Sequence, residues 1–365
     1  MILKKLSLTN YKSIEAFEFD FNPSINCFVG DNGVGKSNII DSIYHLAFGK
    51  SYFNPSSNEN VKFGKDFFII RGDFKNINRN EKIICSFKKG FKKILKRNRK
   101  NYNKISDHIG LIPMVIISPI DQDLIIEGSA TRRKFMDGVI GQTDKIYLQN
   151  ILNYNKILAQ RNALLKYFAL NHKFDKETLD TYSFQLSELA KPIFEKRAFF
   201  LNSFIPLFME SYKKISGSME IVSINYKSDL KEKTGIELLE ENLDKDRVFR
   251  FTTTGIHKDD LEFKIMDQNV KKFGSQGQQK TFLIALKIAQ FNFIKKIVEI
   301  NPIVLLDDIF DKLDRSRVKK IIKLFKNEKM GQIFISDTDE KRINEVLSPL
   351  KNSYKTFNLN SLYFS

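Results

Sequence analysis

The chain has 365 residues, a hydrophobic fraction of 42% and a net charge of +17. Its length suits one large or two modest domains, and two cysteines exclude a disulfide framework or a zinc-finger pattern. Because no stretch is apolar enough to span a bilayer or to form a signal peptide, we expect a cytoplasmic location. The charge favours a polyanionic partner such as nucleic acid, although abundant Lys, Asn, Ile and Phe also fit an AT-rich genome.

A glycine-rich loop follows the first predicted strands. Residues 1 to about 29 indicate strands, the last at 25–29, and residues 37–48 indicate a helix. The loop between them has the P-loop spacing, in which glycines let backbone N–H groups approach phosphate oxygens. Lys36 would bring charge to the β- and γ-phosphates, and the Ser37 hydroxyl would hold Mg²⁺. The predicted ATP-binding residues of this loop are Gly30, Asp31, Asn32, Gly33, Val34, Gly35, Lys36, Ser37 and Asn38.

An antiparallel β-section and a basic stretch come next. Residues 67–74 and 82–87 have the composition of strands and are separated by a polar turn. Residues 88–104 then contain nine Lys and Arg side chains, with Phe91 and Tyr102 among them. This pattern fits a strip that contacts DNA phosphates, and it fits equally a solvated hairpin edge that lysines protect from aggregation.

Two long helices are predicted in the middle of the chain. Apolar residues recur at helical spacing over residues 144–169 and about 177–207, after a shorter helix that begins near Ser129. A strand at 221–226 and a charged helix at 235–249 follow. We therefore expect a head formed by residues 1–128 and 250–365, interrupted by a helical lobe at 129–249.

The second half of a nucleotide site is predicted near residue 307. Four apolar residues at 303–306 precede Asp307 and Asp308, which is the Walker B pattern. We expect this strand to lie beside the P-loop strand in a parallel sheet, so that Asp307 holds Mg²⁺. Asp308 is the candidate general base for water attack, with Lys36 as the other candidate catalytic residue.

A third motif precedes a helix predicted at about 277–300. Ser275, Gln276, Gly277 and Gln278 resemble the signature motif of ABC-type ATPases, which closes on the nucleotide of a second protomer. ATP would then join two chains head to tail, with the helix N-terminus facing the γ-phosphate. A polar helix cap is the simpler alternative. Residues 311–314 resemble the D-loop of this class, and Gln122 is a candidate Q-loop ligand of the metal.

These motifs together resemble the RecF family of recombination mediator ATPases, which is related to SMC-type heads. Departures are Ile256 for the family's Pro, Lys258 for its Arg, and the lack of a switch His within 333–338. Together with Asp308 in place of the Glu usual in ABC transporters, the missing His suggests slow hydrolysis. The segments that carry the resemblance are residues 6–12, 30–38, 127–137, 147–166, 254–261 and 275–280.

The resemblance implies an α/β fold: an ABC/SMC-type P-loop ATPase head with a mixed sheet, an antiparallel β-section and an inserted helical lobe. It implies ATP and Mg²⁺ as cofactors, an ATP-dependent homodimer, and at most a weak DNA-dependent ATPase activity. It also implies binding to single- and double-stranded DNA and gap junctions, RecR and RecO as partners, recombinase loading, and roles in replication-fork repair and the SOS response.

Two alternatives remain from the sequence. One is the nucleotide-binding subunit of an ABC transporter, against which the basic β-section, the helical arm and the missing switch His argue. The other is a different SMC-like ATPase, for which the predicted arm is short.

Overall fold

The structure is a computed structural model and describes residues 1–76, 79–217, 220–308, 331–348 and 353–362. It contains two compact units. Unit 1 comprises Met1–Asp121 and Gln290–Ser365, and unit 2 comprises Gln122–Ala289. The domain boundaries predicted from the sequence, 1–128 and 250–365 against 129–249, stay a prediction.

A parallel five-stranded sheet forms part of unit 1. All of its strands except the C-terminal edge strand are buried at every residue, which explains why they appear in the sequence as continuous apolar runs. The predicted strands at 25–29 and 303–306 are confirmed. In spatial order the strands are β14 (Tyr354–Asn358), β3 (Ile25–Val29), β13 (Ile333–Asp337), β12 (Ile303–Leu306) and β8 (Met114–Ile117).

The predicted antiparallel section is also confirmed in unit 1. Burial alternates along its central strands, so one face packs on the core. Helix α1 (Lys36–Phe48) shares an apolar cluster with residues of both sheets. The six strands, in spatial order, are β2 (Ile14–Asp20), β1 (Ile2–Tyr11), β4 (Phe67–Lys75), β5 (Asn80–Lys88), β6 (Ile94–Arg97) and β7 (Lys100–Asn101).

Both cysteines lie in the core, as the sequence predicts. Cys27 is on β3 and Cys85 on β5, and both are free thiols. Burial raises the pKa of each to about 12, because the charged thiolate is poorly solvated there. Neither is therefore poised as a nucleophile or a metal ligand.

Unit 2 contains the predicted pair of long helices. They are α4 (Lys145–Asn171) and α5 (Lys176–Ser216), which follow α3 (Ser129–Thr143). Because a short turn connects α4 and α5 and they pack along each other, they are antiparallel neighbours. Helix α5 extends nine residues beyond the predicted end at 207, since it continues through Pro192 and Pro206 and stops only at Gly217.

The single charged helix predicted at 235–249 is wrong. The structure has two short helices, α6 (Gly235–Glu241) and α7 (Leu243–Phe249), separated at Asn242. The Asn242 side chain donates to the Leu238 carbonyl at 2.9 Å, and the same carbonyl accepts from the Asn242 backbone N–H at 3.2 Å.

In the described residues, the rest of unit 2 and of the C-terminal region consists of short elements and one long helix. The D-loop at 311–314 and the helix predicted at 316–325 lie outside the described residues. Within the parts of the chain that are described, no helix has the length and apolarity that a membrane crossing requires. The remaining elements are α2 (Asp123–Ile126), β9 (Val222–Lys227), β10 (Asp260–Ile265), β11 (Gln268–Asn269), α8 (Val270–Phe273), α9 (Gln276–Val298), α10 (Glu340–Leu347) and α11 (Leu359–Leu362).

Candidate functional site

The loop between β3 and α1 has the backbone shape of an anion cradle. Gly33 and Gly35 have φ values of 87° and 98°, which side chains rarely permit. Gly35 is also the N-cap of α1, so the backbone N–H groups that follow it at Lys36 and Ser37 lack intrahelical acceptors. These groups and the positive end of the helix dipole favour a bound phosphate.

The Lys36 side chain folds back across this loop. Its ammonium donates to the Gly30 and Asp31 carbonyls, at 2.8 Å each, and the side chain is buried. An ammonium has three donors, so these two bonds fix its position and leave capacity for a phosphate oxygen. Lys36 therefore lies where the sequence predicts a phosphate-binding cation.

The expected adjacency of the Walker B strand and the P-loop strand is wrong. Strand β13 lies between β12 and β3 and pairs in parallel with both. The three strands nevertheless end at the same edge of the sheet, and Ser37 lies near enough to Asp307 to lower the pKa of its carboxyl. The structure therefore brings the two halves of the predicted metal site together, although by a different strand order.

Ser336 on β13 is the residue that the motif analysis missed. Its hydroxyl donates to Asp307 Oδ1 at 2.7 Å and accepts from the Asp308 backbone N–H at 3.0 Å. Ser336 is fully buried, with no exposed surface. It therefore orients the Asp307 carboxylate and fixes the backbone of Asp308, whose φ is 50°.

The Asp307 carboxyl is placed for a metal ion. Burial raises its pKa above the ordinary value, and the negative charge of Asp308 acts in the same direction, while hydrogen bonds from Ser336 and Ser37 oppose the shift. A divalent cation would favour the ionised form strongly. In the described residues no three His, Cys, Asp or Glu gather as a metal cluster, so phosphate oxygens and water would complete the coordination shell of a Mg²⁺ here.

An acidic residue occupies the end of β13, where ABC proteins carry the switch His. Asp337 is buried, and its Oδ1 accepts from Arg342 Nη2 at 2.5 Å and from the Asp339 backbone N–H at 2.8 Å. This salt bridge neutralises the carboxylate within the chain. The position thus holds an ion pair and no imidazole.

A groove of about 790 Å³ is lined by Lys12 and by residues from 53 to 64, and Lys12 connects it to α1. The β1–β2 turn is held against this helix by Lys12, which pairs with Asp41 at 2.6 Å, and by Ser13, which accepts from Asn38 at 2.8 Å. Lys12 also lines the groove, together with Phe53, Lys62 and Phe63. The Phe63 ring is fully exposed, so an aromatic face is available there to a flat ligand.

The signature residues and the Q-loop candidate belong to unit 2. Gln122 ends a short 3₁₀ turn, and Ser275 directly precedes α9. The Ser275 hydroxyl accepts from the Gln278 N–H at 3.2 Å, and Gln278 Oε1 accepts from the Ser275 N–H at 2.8 Å. This reciprocal pair caps the helix, and Ser275 and Gln276 are exposed to solvent. The cap predicted as the simpler alternative is therefore present, on an accessible helix N-terminus.

The basic stretch at 88–104 does not form one continuous strip. Lys88, Lys89 and Lys92 are exposed on the β5–β6 turn, whereas Arg99 and Lys100 follow the other end of β6. Two of its basic side chains are less available to a partner. Arg97 donates two hydrogen bonds to Glu81, at 2.5 and 2.8 Å, and Lys93 is half-buried. The β5–β6 turn therefore offers three exposed lysines close together in sequence.

Comparisons with known proteins agree with this geometry. A family model described as an AAA domain matches residues 5–245. The DNA replication and repair protein RecF of Flavobacterium johnsoniae is 57% identical over 98% of this chain and 100% of its own length. The protein of the same name from Bacteroides thetaiotaomicron is 43% identical over 98% and 96%.

Solved structures give the same picture. The recombination mediator protein RecF-ATP in the RecFOR pathway superposes with a TM-score of 0.86 at 28% identity, over 93% of this chain and 92% of that chain. An Smc head domain from Pyrococcus furiosus, solved with an extended coiled coil, has a TM-score of 0.56 at 18% identity, over 94% and 91%. The second likeness concerns the fold alone and agrees with the predicted ABC/SMC-type head.

Proposed function

Because the chain belongs to the RecF family of DNA replication and repair proteins, we propose that it is an ATP-switched DNA-binding clamp. ATP with Mg²⁺ binds the P-loop, two copies join head to tail around the nucleotide, and the joined pair binds DNA. The observation that carries this proposal is the convergence of Lys36, Ser37 and Asp307 at one edge of the parallel sheet.

The phosphates of ATP are the ligand that this edge fits best. The α1 N-terminus offers backbone N–H groups, Lys36 offers a cation, and Ser37 and Asp307 offer oxygens to Mg²⁺. When bound, Mg²⁺ would bridge phosphate oxygens and neutralise their charge. Gln122 is proposed as a further ligand. The RecF-ATP structure, similar over 93% of this chain, supports ATP as the nucleotide.

The base and ribose have a candidate place in the groove beside α1. Its volume exceeds that of a purine, it lies next to the helix that holds the phosphates, and Phe53 and Phe63 offer ring faces for stacking. We therefore propose that adenine lies against these rings. Because such contacts would add to the phosphate contacts, replacing Phe63 by alanine should weaken ATP binding without abolishing it.

The accessible signature supports a dimer joined by ATP. Ser275 and Gln276 are exposed at the N-terminus of the 23-residue helix α9, a position at which a partner's γ-phosphate would meet unpaired N–H groups. We propose that this end of α9 closes on the nucleotide of the second copy. ATP then acts mainly as a switch, and Asp308 and the ion pair at Asp337 make hydrolysis slow.

DNA is the proposed partner of the clamp. The net charge of +17 and the exposed lysines of the β5–β6 turn support a phosphate-binding surface. We propose that the clamp binds single-stranded DNA, linear double-stranded DNA and gap junctions. The similar structure of the recombination mediator protein RecF-ATP in the RecFOR pathway supports RecR and RecO as partners, with recombinase loading and the SOS response as the context.

Gel filtration with and without ATP tests the proposal, followed by DNA binding over a salt series. We expect ATP to convert monomer to dimer, and both Lys36→Met and Ser275→Arg to abolish the conversion. Matched controls are Lys5→Met, a lysine paired with Asp20 on the surface, and Ser348→Arg, an exposed serine. A dimer that neither Lys36→Met nor Ser275→Arg affects would contradict the clamp.

A further inference from the structure

The C-terminal segment reaches the P-loop from a distant part of the sequence. Strand β14 runs parallel to β3, and its last residue, Asn358, pairs with Val29. Two residues further along each strand, the Asn360 side chain meets the loop, where its Oδ1 accepts from the Asp31 backbone N–H at 3.0 Å. The register of β14 against β3 therefore places Asn360 opposite Asp31 of the nucleotide loop.

One peptide group of the P-loop is held from both sides. The carbonyl of the Gly30–Asp31 peptide accepts from Lys36 Nζ, and the N–H of the same peptide donates to Asn360. Because a peptide group is planar, its carbonyl and N–H turn together. The hydrogen bond to Asn360 thus holds the carbonyl in the direction that Lys36 requires.

The close approach of Asn360 explains the first glycine of the motif. A Cβ at Gly30 would lie 2.9 Å from Asn360 Oδ1, and the φ of Gly30 is 151°. A side chain at this position would have to displace the Asn360 side chain and would also strain the backbone. Gly30 therefore leaves the space that the contact with Asn360 occupies.

The segment that carries Asn360 is anchored in the core. The Phe357 ring stacks on Phe28 of β3 at a centroid distance of 5.5 Å, and Leu359 is buried. The Asn360 N–H donates to Asn358 Oδ1 at 3.1 Å, which fixes the turn. A polar side chain on such a support loses little freedom when it forms its hydrogen bond, so it can hold a loop in one shape.

From these contacts we propose that Asn360 is a positioning residue of the nucleotide site, which holds the Gly30–Asp31 peptide so that Lys36 is directed toward the phosphates. The inference rests on the proposed binding of ATP at this loop. It assigns Asn360 no contact with the nucleotide. Removal of its hydrogen bond therefore weakens ATP binding through the orientation of Lys36.

The test compares Asn360→Ala, Asn360→Asp and a control. Asn360→Ala removes the acceptor, and we expect it to weaken ATP binding about 2- to 10-fold, the range that one hydrogen bond supplies. Asn344→Ala is the control, because this exposed side chain accepts from Tyr354 in the same region and does not touch the P-loop. The measurements are calorimetric titration with MgATP, hydrogen exchange of the Asp31 amide by NMR, and thermal unfolding without nucleotide.

Hydrogen exchange separates positioning from a general loss of structure. In Asn360→Ala the Asp31 amide should exchange faster, whereas Asn360→Asp, which keeps an oxygen acceptor, should protect it as the wild type does. A wild-type protein that fails to bind ATP would contradict the proposed function itself. If the wild type binds ATP and Asn360→Ala changes neither ATP affinity nor Asp31 exchange, only the role of Asn360 is refuted. If Asn360→Ala does not fold, Asn360→Asp is measured in its place. An Asp31 amide that exchanges faster in Asn360→Asp than in the wild type would then overturn the inference.

Discussion

Replacing Ser336 by alanine removes the hydroxyl that connects the acidic end of β12 to β13. This hydroxyl donates to Asp307 at 2.7 Å and accepts from the Asp308 N–H at 3.0 Å, in a position with no exposed surface. Water cannot easily replace it there. In the Ser336→Ala variant, the Asp307 carboxylate therefore loses one hydrogen-bond donor. The Asp308 backbone N–H loses the hydroxyl that accepts its hydrogen bond.

The magnitude follows from these two bonds. A hydrogen bond to a charged group contributes about 1.5–3 kcal/mol, and a buried donor left unsatisfied costs about 1–3 kcal/mol. Because Ser37 still favours the ionised Asp307 carboxylate, part of the loss is relieved. We expect Ser336→Ala to lower the free energy of unfolding of unit 1 by about 2–4 kcal/mol and, since it orients a metal ligand, to weaken Mg²⁺ binding about 10-fold.

Urea unfolding and a Mg²⁺ titration in the presence of ATP measure the two effects. The unfolding transition to follow is the one that ATP shifts to higher urea, because a ligand stabilises the unit that binds it. Ser42→Ala is the matched control: Ser42 is equally buried and donates to the Ile39 carbonyl of its own helix, at 2.7 Å. It should cost less than about 1 kcal/mol, because alanine favours a helix. If Ser336→Ala loses no more stability than Ser42→Ala and keeps its Mg²⁺ affinity, the reasoning is wrong.

Two further predictions concern DNA binding and pH. Replacing Lys88, Lys89 and Lys92 by Gln should reduce the slope of log K against log salt for DNA binding. The expected reduction is about 0.9 for each phosphate that these side chains neutralise. An unchanged slope would mean that these lysines protect the hairpin edge and do not contact DNA. Burial lowers the pKa of His257 to about 4, because the charged ring is poorly solvated there, and the hydrogen bond to the Thr252 carbonyl opposes this shift only in part. Its contribution to stability is therefore fully present above about pH 6.5 and is lost as the pH falls toward 4, by about 1 kcal/mol per pH unit. In urea unfolding from pH 7 to 4.5, His257→Gln should flatten this dependence and the exposed His172→Asn should not; equal slopes in His257→Gln and the wild type would refute it.

Local patterns predicted the parts of the nucleotide site that depend on local sequence. The P-loop, the helix after it and the apolar run before Asp307 each have a spacing that restricts the backbone, so the sequence alone identifies them. Strand order has no such local signal, and the position of β13 between β3 and β12 could not be derived. Ser336 was missed for the same reason, because a lone serine at the end of an apolar run becomes informative only when its neighbours in space are known.

The helices of unit 2 show a second limit of sequence reasoning. The apolar spacing predicts that the helix beginning near residue 177 ends at about 207, yet α5 continues beyond Pro206 and packs over buried side chains, among them Phe204 and Phe208. The predicted helix at 235–249 is instead divided into two at Asn242, which the apolar spacing does not reveal. Tertiary packing explains the first case.

Complementation between two inactive variants tests the central claim most directly. A mixture of Lys36→Met and Ser275→Arg chains can form a pair in which the intact P-loop of the Ser275→Arg chain faces the intact signature of the Lys36→Met chain. Light scattering with ATP should then show dimers in the mixture and none in either variant alone, with one nucleotide bound per pair. Monomers in the mixture, under conditions in which the wild type forms dimers with ATP, would contradict a site shared between two chains.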